Sequence, residues 1–170
     1  MDGTLATLFL VAGLTDMTMN YCDDGCLATS PLDARIAVSA GEVEFQGNRI
    51  ANEVYLRYDL PKKFGPFQPA LGVSVTDEGS VWFGAGSSWT YSFAQDRGYV
   101  QLHLMPGVYG KGEGPDLGSA IEFRSGAEIG FETASGVRIG LSYDHRSNAD
   151  TGRINPGLET IQLRASFPLR

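Results

Sequence analysis

The chain has 170 residues, 42% hydrophobic and 19% charged, which is one domain's worth of protein, read as a single domain over 1–170, and excludes a disordered chain. A net charge of −7 leaves no basic face for neutralising phosphates and so excludes a general nucleic-acid binder. No apolar run approaches the roughly 18 residues a transmembrane helix needs, while high glycine and recurrent Val, Ile, Phe, Tyr, Trp and Thr favour many short strands with tight turns.

In chain order, Met1-Asp2-Gly3-Thr4 carries an acid and no base, and no small-residue cleavage site follows Leu5–Leu14, so a secretory signal peptide is not evident. Thr4–Met19 is read as a first strand or as the remnant of a signal. Cys22 and Cys26 bracket a small acidic loop, where a disulfide or two free thiols is expected. Zinc would need two more ligands, and His103 and His145 are far away in sequence, so no metal is expected. Residues 20–48 are expected to form a long external loop, with Ala34–Phe45 an extra strand or an ordered part of that loop.

From about Asn52 the chain alternates with period two. Val54, Leu56, Tyr58 and Leu60 share a face, then Leu71, Val73 and Val75, then Val81, Phe83, Ala85, Trp89, Tyr91 and Phe93. Val100, Leu102 and Leu104 follow, with a Gly-rich loop from Pro106 to about Gly118. Ile121, Phe123, Ala127, Ile129 and Phe131 oppose Glu122, Arg124, Glu128 and Glu132. Val137, Ile139, Leu141 and Tyr143 then pair in pattern with Ile161, Leu163, Ala165 and Phe167. Both signs of charge interleaved with glycine suit the crowded interior of a small membrane barrel better than an open surface. The fold class expected is all-β: an eight-stranded antiparallel transmembrane β-barrel.

Chemistry concentrates at Tyr143–Asp150 and Asn155–Glu159. His145 and Ser147 are two apart at a strand end and point the same way; Glu159 shares the parity of Ile161 and Leu163. A hairpin register setting Leu141 opposite Leu163 aligns the apolar faces, puts Val137 opposite Phe167, and sets His145 opposite Glu159. The trio then has the parts of a hydrolytic triad at the rim of the lipid-facing surface: Ser147 as nucleophile, His145 as general base, Glu159 as orienting carboxylate. Asp144 lies on the interior parity and is a poor third member; His103 reads as a packed or hydrogen-bonded interior residue.

At these residues the sequence resembles the lipid A 3-O-deacylase (PagL) family. Its mark is His145-Arg146-Ser147-Asn148, then Asn155-Pro156-Gly157, then Glu159, and Phe123–Gly130 is similar to its sixth strand. The resemblance covers roughly 117–168. It implies hydrolysis of the ester-linked 3-acyl chain of lipid A in the bacterial outer membrane, without metal or cofactor. Lipopolysaccharide and membrane lipids would be its partners, and a homodimer is compatible with it. It further implies that Asn148 helps stabilise the oxyanion and that Phe123 contacts the acyl chain. Two other readings stand beside it: a non-catalytic eight-stranded outer-membrane barrel with a structural or adhesion role, and a soluble lipid-binding barrel whose apolar face lines a cavity.

Overall fold

The computed structural model describes residues 3–169. Eight long antiparallel strands form the wall: β1 (Ala34–Phe45), β2 (Asn48–Asp59), β3 (Phe67–Thr76), β4 (Val81–Phe93), β5 (Gly98–Gly110), β6 (Ile121–Glu132), β7 (Arg138–Ser147) and β8 (Leu158–Leu169). Each pairs with its sequence neighbour, and β8 pairs with β1, so the sheet closes. Closure leaves no free edge, which is what a lipid environment demands of a sheet.

Period-two alternation decides which way the wall faces. Leu56, Phe83, Val108, Ile129, Leu141, Leu163 and Phe167 all point outward and are exposed, Leu163 by 70%. The inward positions hold Trp82, Tyr55, Tyr99, Arg124, Arg146 and Arg164, all buried. Such an apolar exterior around a charged interior fits a transmembrane barrel. It rules out the soluble lipid-binding barrel, because the apolar face is outside and the lumen is filled with side chains.

Ionic pairing makes that interior tolerable. Arg124 Nη2 lies 2.9 Å from Glu53 Oε1 and 2.5 Å from Asp144 Oδ2, and its guanidinium sits 3.9 Å over the Tyr55 ring. Arg146 reaches Glu53 Oε2 at 2.6 Å, and Arg164 reaches Glu128 Oε2 at 2.6 Å. Glycine makes the room: a Cβ on Gly126 would collide with Asp144 and His103. His103 is fully buried in this lumen, as its parity implies.

Two sequence-based expectations are corrected. Thr4–Asn20 is an α-helix, α1, and not a strand. It is rich in Leu, Ala and Met, good helix formers, and has no period-two alternation to hold a strand register. It lies against the outer wall: Phe9 packs on Phe67 with ring centroids 5.5 Å apart, and Trp89 Nε1 donates to Asp16 Oδ2 at 2.8 Å.

Of the two readings of Ala34–Phe45 the strand holds, and it is the first wall strand, so residues 20–48 are not a long external loop. Its alternation is masked because polarity swaps near one end while the parity is kept, so that the outward positions hold Glu42 and Glu44 and the inward one Val43. Residues 20–33 lie at the end that also holds the start of β1 and the end of β8. Cys22 and Cys26 are disulfide-bonded there. Beyond them, the three-residue strands Thr29–Pro31 and Lys62–Phe64 pair with each other.

The connections at the opposite end are residues 46–47, 77–80, 111–120 and 148–157. Because outer-membrane barrels put their longer loops outside, this end is the external one.

Candidate active site

The β7–β8 register is the one expected from the apolar pattern: Leu141 opposes Leu163 and His145 opposes Glu159. Val137 falls one residue before β7 and forms no ladder pair with Phe167. On the other side of β7, Ser125 of β6 opposes His145 and Phe123 opposes Ser147. His145, Ser147, Glu159, Ser125 and Phe123 thus share one outward patch at the external rim.

His145 Nδ1 lies 3.1 Å from Glu159 Oε1. The carboxylate accepts the Nδ1 proton, which leaves Nε2 with its lone pair, the tautomer a general base needs. Among the described residues Nε2 has no hydrogen-bond partner, although it is buried. The His145 side chain is only 7% exposed, Ser147 9%, and the Glu159 side chain 28%. Gly157 (φ +76°) fits against the ring, where a Cβ would stand 2.9 Å from His145 Cε1. The left-handed backbone and the close approach both ask for glycine.

Asn148 is fully buried and faces the lumen side of the strand end. Both hydrogens of its amide are engaged, Nδ2 donating to Leu117 O at 2.8 Å and to Ile154 O at 2.7 Å. Its backbone N–H donates to Asn155 Oδ1 at 3.1 Å. Asn148 therefore ties the loop 111–120 to the loop 148–157 immediately after Ser147. The chain then reverses through Ala149 (φ +52°) and Asp150 (φ +60°), an uncommon left-handed pair for residues other than glycine.

Asp144, adjacent to His145, points inward and binds Arg124, and Glu159 is the carboxylate in contact with the imidazole. The sequence gives Ser125 no role and names Asn155 only within the family motif. Ser125 could have been found by extending the hairpin register one strand back. The partner of Asn155, the Asn148 backbone N–H, could not, because it is set by loop conformation.

The model of the lipid A 3-O-deacylase (PagL) family matches residues 37–168. The chain belongs to this family. The lipid A deacylase PagL of Bordetella bronchiseptica is 31% identical over 107 residues, covering 58% of this chain and 60% of that protein, so the match spans less than two thirds of the relative's length. Among solved structures, that of the outer membrane enzyme PagL has a TM-score of 0.64 at 20% identity, covering 79% of this chain and 99% of the other. A de novo designed transmembrane β-barrel follows at 0.60 and 10% identity, covering 82% and 98%. The likeness to a designed barrel is one of fold alone, whereas the family match includes the residues of the rim patch.

Proposed function

We propose that this protein is an esterase that removes the 3-O-linked acyl chain of lipid A at the external rim of the barrel. The observation that carries this reading is the His145–Glu159 contact beside Ser147 on the lipid-facing wall. Ser147 Oγ attacks the ester carbonyl while His145 Nε2 takes its proton. His145 then returns that proton to the departing sugar hydroxyl, leaving an acyl-enzyme. Water, deprotonated by the same nitrogen, releases the fatty acid and restores Ser147.

Glu159 holds the imidazole tautomer and stabilises its cation. Developing charge on the carbonyl oxygen needs donors. The Asn148 amide is taken up by the loops, so the backbone N–H groups of the 149–150 turn are assigned that part, with Asn148 fixing the turn. Phe123, opposite Ser147, offers an apolar contact for the acyl chain. The outward aspect of the patch gives a bilayer lipid a route to the nucleophile without leaving the membrane.

The test is mass spectrometry of lipid A from bacteria carrying the chain behind a working signal peptide, beside Ser147→Ala. Loss of one 3-hydroxyacyl mass in the parent and not in the variant is expected. Unchanged lipid A with both proteins folded in the outer membrane would favour a non-catalytic barrel.

A further inference from the structure

The external end of the barrel is acid-rich, with Glu44, Asp77, Glu78, Glu113, Asp116 and Asp150 on its rim and loops. Its cations are few: Arg49, Lys111 and Arg153. Arg49 is used within the wall, 2.6 Å from Glu42 and 2.8 Å from Asn52 Oδ1. Arg153 is exposed and forms no hydrogen bond or ion pair among the described residues.

The place of Arg153 matters more than its charge. It sits in the loop joining Ser147 to Glu159, between residues whose positions are fixed. Ile154 O accepts from Asn148 Nδ2, Asn155 Nδ2 donates to Asp150 Oδ1 at 2.9 Å, and Gly118 packs against Ile154 so closely that a Cβ would collide with its carbonyl. Arg153 shares a surface notch with Asp116, Gly118 and Ile154. Among the described residues no carboxylate forms an ion pair with it, Asp116 Oδ1 accepting from Gly118 N at 2.9 Å and Asp150 Oδ1 from Asn155 Nδ2 at 2.9 Å. A free guanidinium on the braced loop that joins Ser147 to Glu159 is a ready partner for an oxyanion, which it can bind through two parallel N–H donors.

We propose that Arg153 anchors a phosphate on the sugar headgroup of the lipid whose ester Ser147 attacks. This rests on the esterase reading and names the headgroup chemistry that reading leaves open. The acidic surroundings sharpen the assignment. They disfavour general adhesion to anionic lipid and leave Lys111 and Arg153 as the cations not engaged within the wall, of which Arg153 is on the loop between Ser147 and Glu159.

Binding is read first, so that turnover is not required. In the Ser147→Ala protein in neutral detergent micelles, affinity is measured for phosphorylated lipid A and for the same lipid after phosphatase treatment. Adding Arg153→Gln should weaken binding of the phosphorylated lipid roughly tenfold, the size of a lost charge-assisted contact, and leave the dephosphorylated lipid unchanged. Arg153→Lys should fall between, and Lys111→Gln should have little effect. With Ser147 restored, Arg153→Gln should raise KM for the phosphorylated lipid without lowering kcat.

Equal losses from Arg153→Gln and Lys111→Gln would overturn the anchor in favour of diffuse surface charge. So would equal losses on both lipids, or an effect that appears only when phosphatidylglycerol is added, since the phosphate would then belong to neighbouring phospholipid. Intact binding behaviour with no fatty acid released would instead count against the esterase reading and leave the anchor standing.

Discussion

Glu159 is the residue at which structure and chemistry can be separated most cleanly. Its carboxylate touches His145 Nδ1 at 3.1 Å and is partly exposed, so changing it to the isosteric amide removes charge without opening a cavity. Glu159→Gln can donate its own N–H to Nδ1, which moves the imidazole proton to Nε2, the wrong nitrogen for a base. A loss of kcat on the order of 10⁴ is expected, as for the equivalent change in other triads. KM and the heat-modifiable mobility of the folded barrel should stay at parent values. A rate within a few-fold of the parent would remove Glu159 from the mechanism. Ser147→Ala combined with Glu159→Gln should cost no more than Ser147→Ala alone, since the groups act as a unit.

The β7–β8 hairpin was legible before any coordinates because two independent patterns had to agree. Aligning Leu141 with Leu163 fixes the face, and a one-residue slip would turn every apolar side chain inward. The loops were not legible, because no periodicity links Asn148 to Leu117, 31 positions away. That contact changes what Asn148 is expected to do. Asn148→Ala leaves two carbonyls, one of them on buried Leu117, without their donor, at about 1–3 kcal/mol for a buried orphan. Hydrogen exchange should rise in both 111–120 and 148–157, and activity should fall because Ser147 is no longer seated. If exchange stayed at the parent level while kcat alone fell by roughly 10²–10³, the side chain would be an oxyanion donor after all. The start of the wall was half legible, Ala34–Phe45 reading as either strand or loop, for a different reason. Glu42 and Glu44 face outward at the external rim while Val43 faces in, so β1 does not present the alternation that marks its neighbours.

At the scale of the whole barrel, the lumen and the exterior obey opposite rules, and substitutions should show it. Arg124 is bound by Glu53 and Asp144 and covered by Tyr55, with no exposed surface. Arg124→Met keeps much of the volume but strands Asp144, whose next cation is Arg164 at 3.8 Å, while Glu53 keeps Arg146 at 2.6 Å. Removing one member of a buried ionic set costs about 3–5 kcal/mol. Arg124→Met with Asp144→Asn should recover much of it, because one buried charge of each sign is removed and Glu53 keeps Arg146. On the outside the sign is reversed. Leu163→Arg puts a charge into the lipid band at mid-strand, at about 2–4 kcal/mol near the bilayer midplane. The equivalent charge at Glu159→Arg, at the rim, should cost much less in stability. Equilibrium unfolding in lipid vesicles reads all four proteins. A neutral Arg124→Met would mean that the lumen network does not hold the barrel together. A harmless Leu163→Arg would mean that this face does not meet lipid, and with it would go the route by which a bilayer ester reaches Ser147.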